Sequence, residues 1–182
     1  MSTREAWPAV AALALLAGCT AIAPAPAGGA RYGLGTPLDE RVLAGWNIDV
    51  APDGAGLPPG RGSVAQGRAV YESKCISCHG EKGVGGPANR LAGGSVKSKP
   101  QVKTVGSFWP HATTIYDYVN RAMPWDRPQS LAPDEVYAVT AYLLFINGIV
   151  PESATLDAAS LPRVRMPNRD GFDPVDPRPD TR

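Results

Sequence analysis

Three stretches of the chain alternate apolar and polar positions with the period of a helix, and irregular stretches separate and flank them. In SVAQGRAVYESKC, Val64, Val70 and Tyr71 fall along one side, and Ser63 with Gln66 forms a capping box at the start. Gly67 in mid-helix costs about 1 kcal/mol relative to alanine, so the pattern predicts close approach of another helix there. A second helix is predicted from Thr113 or Thr114 as cap, with Ile115, Tyr118, Val119 and Ala122 on one face. It has to end at AMPW, because proline pushes the residue before it, Met123, out of the helical region. The third helix runs over PDEVYAVTAYLLFING, with Pro133 in the first turn and Gly148 just past the end. Ala132, at its cap position, cannot cap, so the start depends on Asp134 and Glu135 near the positive end of the helix dipole. Apolar residues nearly encircle this helix, which predicts that it is sandwiched between the first helix and some other large apolar body.

The flanks follow different chemistry. TAIAPAPAGGARYGLG has no periodicity and reads as a tether over residues 19–35. TPLDERVLAGW predicts a short helix with Thr36 as cap, Pro37 in the first turn and Asp39 at the capping-box position, ending near Gly45. NIDVAPDGAGLPPGRG and residues 80–111 are loop sequences, and residues 151–182 return to Pro, Asp and Arg, either an ordered arm or a tail. The expected architecture is therefore all-α, with a core over residues 63–150 and irregular arms at 36–62 and 151–182. No convincing strand and no internal repeat is visible.

At 182 residues the chain suits one domain with extensions. Its 18 basic and 17 acidic residues nearly balance, which gives no footprint for a nucleic-acid partner. Cysteines number three, and an odd count argues for separate roles rather than a disulfide framework. Cys19 ends AVAALALLAGC, a short apolar stretch behind Arg4 with the shape of a secretory signal and too short to span a bilayer. Leu16-Ala17-Gly18-Cys19 resembles the lipobox of bacterial lipoproteins, which implies a signal peptide over 1–18 and lipidation of Cys19. Ordinary cleavage after Ala23 or Ala27 is the alternative, disfavoured at Ala23 by the proline that follows. Either route exports the protein to the periplasm, and the lipid route leaves it held to a membrane by a tether that reaches about 50 Å at most.

The other two cysteines stand in CISCH, with His79 directly after Cys78. Zinc needs four ligands, and beyond Cys75, Cys78 and His79 only His111 is available. A thioredoxin-like dithiol opens a helix after a strand, whereas this pair closes one. Covalent haem c accounts for each residue: two thiols add to the haem vinyl groups, and the adjacent imidazole becomes the proximal iron ligand. A sixth ligand is expected in Met123, which leaves a helix just ahead of a proline. Met166 and His111 are the other candidates, read respectively as packing beyond the core and as a loop or haem-edge histidine. Histidine and methionine together fill both axial positions, which suits electron transfer and leaves none open to substrate.

With these residues in place, 63–150 resembles a class I c-type cytochrome: a helix ending in CISCH, a glycine-rich loop, a Met-Pro turn and a C-terminal helix. The resemblance implies that Gly67 and Tyr71 cross the last helix near Tyr142 and Leu143. It also implies that the Pro87 carbonyl accepts the His79 ring N–H and that Leu91 packs on the haem. GWNIDVAPDGAGLPPGRGSVAQG, KTVGSFWPHATTIYDYVNRAMPWDRPQSL, DEVYAVTAYLLFINGIVP and RMPNRDGF further resemble the cytochrome subunits of Sox sulfane dehydrogenases and of related molybdenum sulfite dehydrogenases. That implies electrons taken from a molybdenum catalytic subunit and delivered to another c-type cytochrome, with the loop KTVGSFWP along the haem edge. Lys103, Ser107 or Trp109 would then bind a haem propionate, against the alternatives that Trp109 is core and Lys103 solvated. The loop lysines Lys97, Lys99 and Lys103 would steer a partner or simply face solvent. The arms at 46–62 and 151–172 would dock a partner or simply cover the core. One departure stands out: the best-known such subunit has a second haem domain, whereas this sequence contains one Cys-x-x-Cys-His, so one haem is expected. The rival readings are a free-standing tethered carrier for another dehydrogenase or terminal oxidase, and a haem sensor or ligand-binding protein if Met123 does not ligate.

Overall fold

Ser63 opens the first core helix: its Oγ accepts the Gln66 N–H at 3.2 Å while Gln66 Oε1 accepts the Ser63 N–H at 2.9 Å. This is the reciprocal pair that the sequence predicts. The computed structural model describes residues 34–97, 99 and 102–173; the signal stretch, Cys19 and most of the expected tether lie outside them. Two compact units divide the chain, Met1–Asp39 and Glu40–Arg182. In the first, the described residues are irregular, with Leu34 and Leu38 exposed. The second holds α1 (Glu40–Trp46), β1 (Arg61–Ser63), α2 (Val64–Lys74), α3 (Ile76–His79), α4 (Ala112–Ala122), α5 (Pro133–Ile146) and β2 (Thr155–Asp157). Short 3-10 turns stand at Glu81–Gly83 and Leu161–Arg163. Among the described residues no helix is long and apolar enough to cross a membrane.

The organising element is α5, buried without interruption from Val136 to Leu144. A different neighbour covers each of its sides. α2 lies so close that a Cβ on Gly67 would overlap the Ala138 carbonyl oxygen and stand 2.8 Å from Tyr142 Cβ. One turn on, the Tyr71 and Tyr142 rings meet at 5.2 Å. α4 packs on another side through Tyr116, whose ring is 4.6 Å from that of Tyr137. The arms cover a third: the Tyr137 hydroxyl donates to the Pro58 carbonyl at 2.8 Å, and Leu156, Leu161 and Met166 are buried in the same cluster. Val139 and Leu143 remain, and they face a cleft. The single large apolar body that the sequence predicts beside α5 is thus two things, the folded arms and the cleft.

Each helix end has a local cause. α5 has half a capping box, because Ala132 has no acceptor but its N–H donates to Glu135 Oε2 at 3.0 Å. Its far end is a Schellman motif: Gly148, at φ +70°, donates to the Phe145 carbonyl and Ile149 donates to that of Leu144. α1 starts at Glu40, after the Thr36–Asp39 stretch rather than within it, and buries none of its residues. α4 starts at Ala112 with His111 at the cap, ahead of the threonines expected to cap it. Thr113 is drawn inside instead, its hydroxyl donating to the Pro52 carbonyl at 3.3 Å. β1 and β2 pair antiparallel with Gly62 opposite Leu156. At three residues each they are too short to display an alternating pattern, and so the sequence hid them.

Lys74 Nζ lies 2.6 Å from Glu135 Oε1, with side-chain exposures of 30% and 32%, tying the end of α2 to the start of α5. The hydrogen bond from Lys74, and after it the Ala132 N–H, hold the Glu135 carboxyl below its ordinary range. A carboxyl depressed in the folded state adds stability that is complete above its unfolded pKa and is lost as pH falls through the folded one. Glu135→Gln is therefore expected to cost about 1 kcal/mol at pH 7 in a urea titration, since the amide keeps an acceptor and loses the charge. The gap between variant and parent should close as pH falls below the ordinary carboxyl range and through the lowered pKa of the folded state.

Candidate haem-binding site

Cys75 interrupts the helical path at the end of α2, at φ −123° and ψ −32°, before α3 resumes it. The break brings Cys75, Cys78 and His79 onto one mostly apolar cleft of about 780 Å³. Pockets for cofactor-sized ligands span roughly 300–1,000 Å³. Cys75 is half-buried and Cys78 exposed. Burial pushes the Cys75 thiol up to about 11, so Cys75 is not itself an activated thiolate. A zinc site would gather four ligands, and among the described residues no three His, Cys, Asp or Glu side chains come together.

His79 donates its Nδ1–H to the carbonyl of Asn89 at 2.8 Å. This corrects the expectation for Pro87, which is exposed and does not line the cleft. Backbone bonds give the reason. Ala88 N–H donates to the Cys78 carbonyl and Leu91 N–H to that of Gly83, both at 2.8 Å, laying residues 88–91 beside α3 and the 3-10 turn that follows it. With Ala88 turned toward Cys78, the carbonyl that reaches the imidazole is that of Asn89. Nδ1 is thereby engaged, and Nε2 is the nitrogen left for a metal.

α4 supplies a further wall. Ile115, Tyr118 and Val119, from the face the sequence predicts, line the cleft, although Tyr118 is 46% exposed and Tyr116 takes the buried position in the core. The helix stops at Ala122, and Met123 is extended at φ −121° and ψ 147°, as a residue before proline should be. Its side chain lines the same cleft as Cys75, Cys78 and His79. Trp125, two residues on, also lines it and is 81% exposed. Leu91, Lys103 and Trp109 are on the cleft too, the Trp109 ring edge-on to Tyr118 at 5.5 Å. Ser107 is not: it is buried, with Oγ accepting the Thr104 N–H at 2.9 Å and donating to the Val102 carbonyl. Met166, at 1% exposure, is core packing, and His111 stands off the cleft at the start of α4. Sequence reasoning passed over Asn89 and Arg90, since loop residues carry no periodic signal; Arg90 is a cation on the same cleft as Lys103.

The donor set fits haem c. Two thiols at the spacing for thioether links, an imidazole with its outer nitrogen already bonded, and a thioether all meet one apolar cleft. Comparisons with known proteins agree. Residues 62–143 match the family model described as cytochrome C oxidase, cbb3-type, subunit III. A chain of the crystal structure of the sulfane dehydrogenase SoxCD from Paracoccus pantotrophus superimposes with a TM-score of 0.76 at 41% sequence identity, covering 80% of this chain and 73% of that one. No curated protein matches. The chain belongs to the class I c-type cytochromes, of the SoxD-like kind, a family that implies covalently bound haem c and a role in electron transfer.

Proposed function

We propose that this chain holds one haem c through Cys75 and Cys78, with His79 Nε2 and Met123 Sδ as axial ligands. In this reading it relays single electrons from a molybdenum subunit that oxidises sulfite or protein-bound sulfane sulfur to another c-type cytochrome. The observation that carries the reading is the convergence of those four side chains on one mostly apolar cleft. The bound group supplies a one-electron couple, and a sulfur ligand favours its ferrous form. The chain's own residues do the rest. Asn89 fixes the tautomer of His79, while Ile115, Val119, Val139 and Leu143 line the cleft with apolar surface that excludes water. Arg90, Lys103 and Trp109 are donors for propionate oxygens. With both axial positions taken by protein, the chain performs no bond chemistry of its own.

The molybdenum partner rests on the sulfane dehydrogenase relative. A periplasmic location with a lipid anchor on Cys19 rests on AVAALALLAGC, outside the described residues. The arms at 46–62 and 151–172 contribute to the core through Pro58, Leu156 and Leu161, which favours covering over docking as their first role.

The test uses protein extracted from its native membranes in mild detergent. Co-purification of a molybdenum subunit, one haem per chain, and reduction of that haem by added sulfite are the expected results. A lone haem protein that sulfite leaves oxidised would replace this reading with a free-standing carrier.

A further inference from the structure

Asn147, the residue that ends α5, uses its side-chain amide in three directions. Nδ2 donates to the Leu143 carbonyl at 2.8 Å and to the Leu91 carbonyl at 3.1 Å, while Oδ1 accepts the Gly93 N–H at 3.3 Å. The first bond stays within α5; the other two cross 54 and 56 residues to the loop that follows CISCH. That loop continues the network: the Gly93 carbonyl accepts the Thr104 hydroxyl at 2.8 Å, and Thr104 is itself on the cleft. Gly106 packs so tightly on Asn147 that a Cβ there would overlap its side chain. The amide therefore joins the end of α5, which carries Leu143 on the cleft, to the segment that carries Leu91 on it.

Two residues before Leu91 is Asn89, whose carbonyl holds the His79 ring. We propose that Asn147 is a positioning residue for the proximal ligand: by fixing Leu91 and Gly93 to α5 it keeps the Asn89 carbonyl on His79 Nδ1 and so sets how strongly the imidazole donates to iron. The inference rests on the assignment of His79 as an axial ligand. An imidazole whose outer N–H is hydrogen-bonded to a carbonyl is the more basic ligand, and the more basic ligand favours ferric iron. Loosening the loop should therefore raise the reduction potential.

The haem-loaded full chain tests this with Asn147→Leu, which keeps most of the volume and loses all three bonds, and Asn147→Asp, which keeps the acceptor and loses both donors. Both are expected to retain haem and the long-wavelength band of a methionine-bound ferric iron; leucine should shift the potential upward, while aspartate, whose added charge itself favours ferric iron, is read by solvent exchange of the His79 ring N–H, which should quicken in both. The reference variant is Ser63→Ala, which removes a helix cap away from the cleft and should lower stability with no shift. Should leucine prove too unstable to load haem, Asn147→Asp decides alone through the solvent exchange of the His79 ring N–H. Lost stability with an unchanged potential and unchanged ring exchange would overturn the proposal and reduce Asn147 to a helix cap. Failure of the parent chain to bind haem at all would instead remove the ligand assignment beneath it.

Discussion

Replacing Met123 with alanine is expected to convert a protein whose reduced form binds carbon monoxide slowly or not at all into one that binds it readily. Met123 reaches the cleft because Pro124 ends α4 at Ala122, so the backbone that presents the thioether stays in place in the variant. A methyl group cannot ligate, and the sixth position then falls to water or to an added ligand. The reduction potential should fall as well, by a sizeable share of the roughly 0.8 V over which axial ligands tune haem proteins. A flash-photolysis or stopped-flow measurement on reduced parent and variant decides it. If the parent binds carbon monoxide as fast as Met123→Ala, the sixth ligand is not Met123, and the haem-sensor reading returns. Met166 cannot stand in, since it lies in the core with 1% of its surface exposed.

The features the sequence disclosed are those decided by neighbours in the chain. CISCH, the Ser63–Gln66 box, the stop at Met123-Pro124 and the glycine turn after Ile146 each depend on residues within a few positions, and each stands where expected. Features decided by distant partners were hidden. Thr113 has the chemistry of a cap and becomes a core residue because Pro52 offers it an acceptor 61 residues away. The arms are irregular, as their composition implies, yet Leu156, Leu161 and Met166 fill one side of α5. In the site the same division holds. The side chains proposed to hold the haem were legible in the sequence, whereas the carbonyl bonded to the His79 ring moved from Pro87 to Asn89 through backbone bonds that no motif records.

Gly67 offers the sharpest test of the packing that holds the site together. On helix propensity alone, Gly67→Ala should stabilise α2 by about 1 kcal/mol. The structure reverses the sign, because the new Cβ would stand 1.8 Å from the Ala138 carbonyl oxygen. Backbone cannot rotate away as a side chain can. Nor is α2 free to retreat: β1 fixes its start to β2, and Lys74 fixes its end to Glu135. Overpacking a rigid contact costs about 1–3 kcal/mol for side-chain overlap, and overlap with backbone belongs at or above the top of that range. A net loss of about 2 kcal/mol or more is therefore expected in a urea titration, a large share of the roughly 5–15 kcal/mol that holds a domain folded. Gly45 in α1 is the matched comparison, since a Cβ there would meet nothing within 4 Å. Gly45→Ala should be neutral or stabilising by up to about 1 kcal/mol. If the two substitutions give the same sign, α2 and α5 do not cross at the distance described. If they diverge as expected, the crossing also explains how the cleft keeps its shape. α2 ends at Cys75, α5 contributes Val139 and Leu143, and a wedge at Gly67 would push apart the walls that meet there.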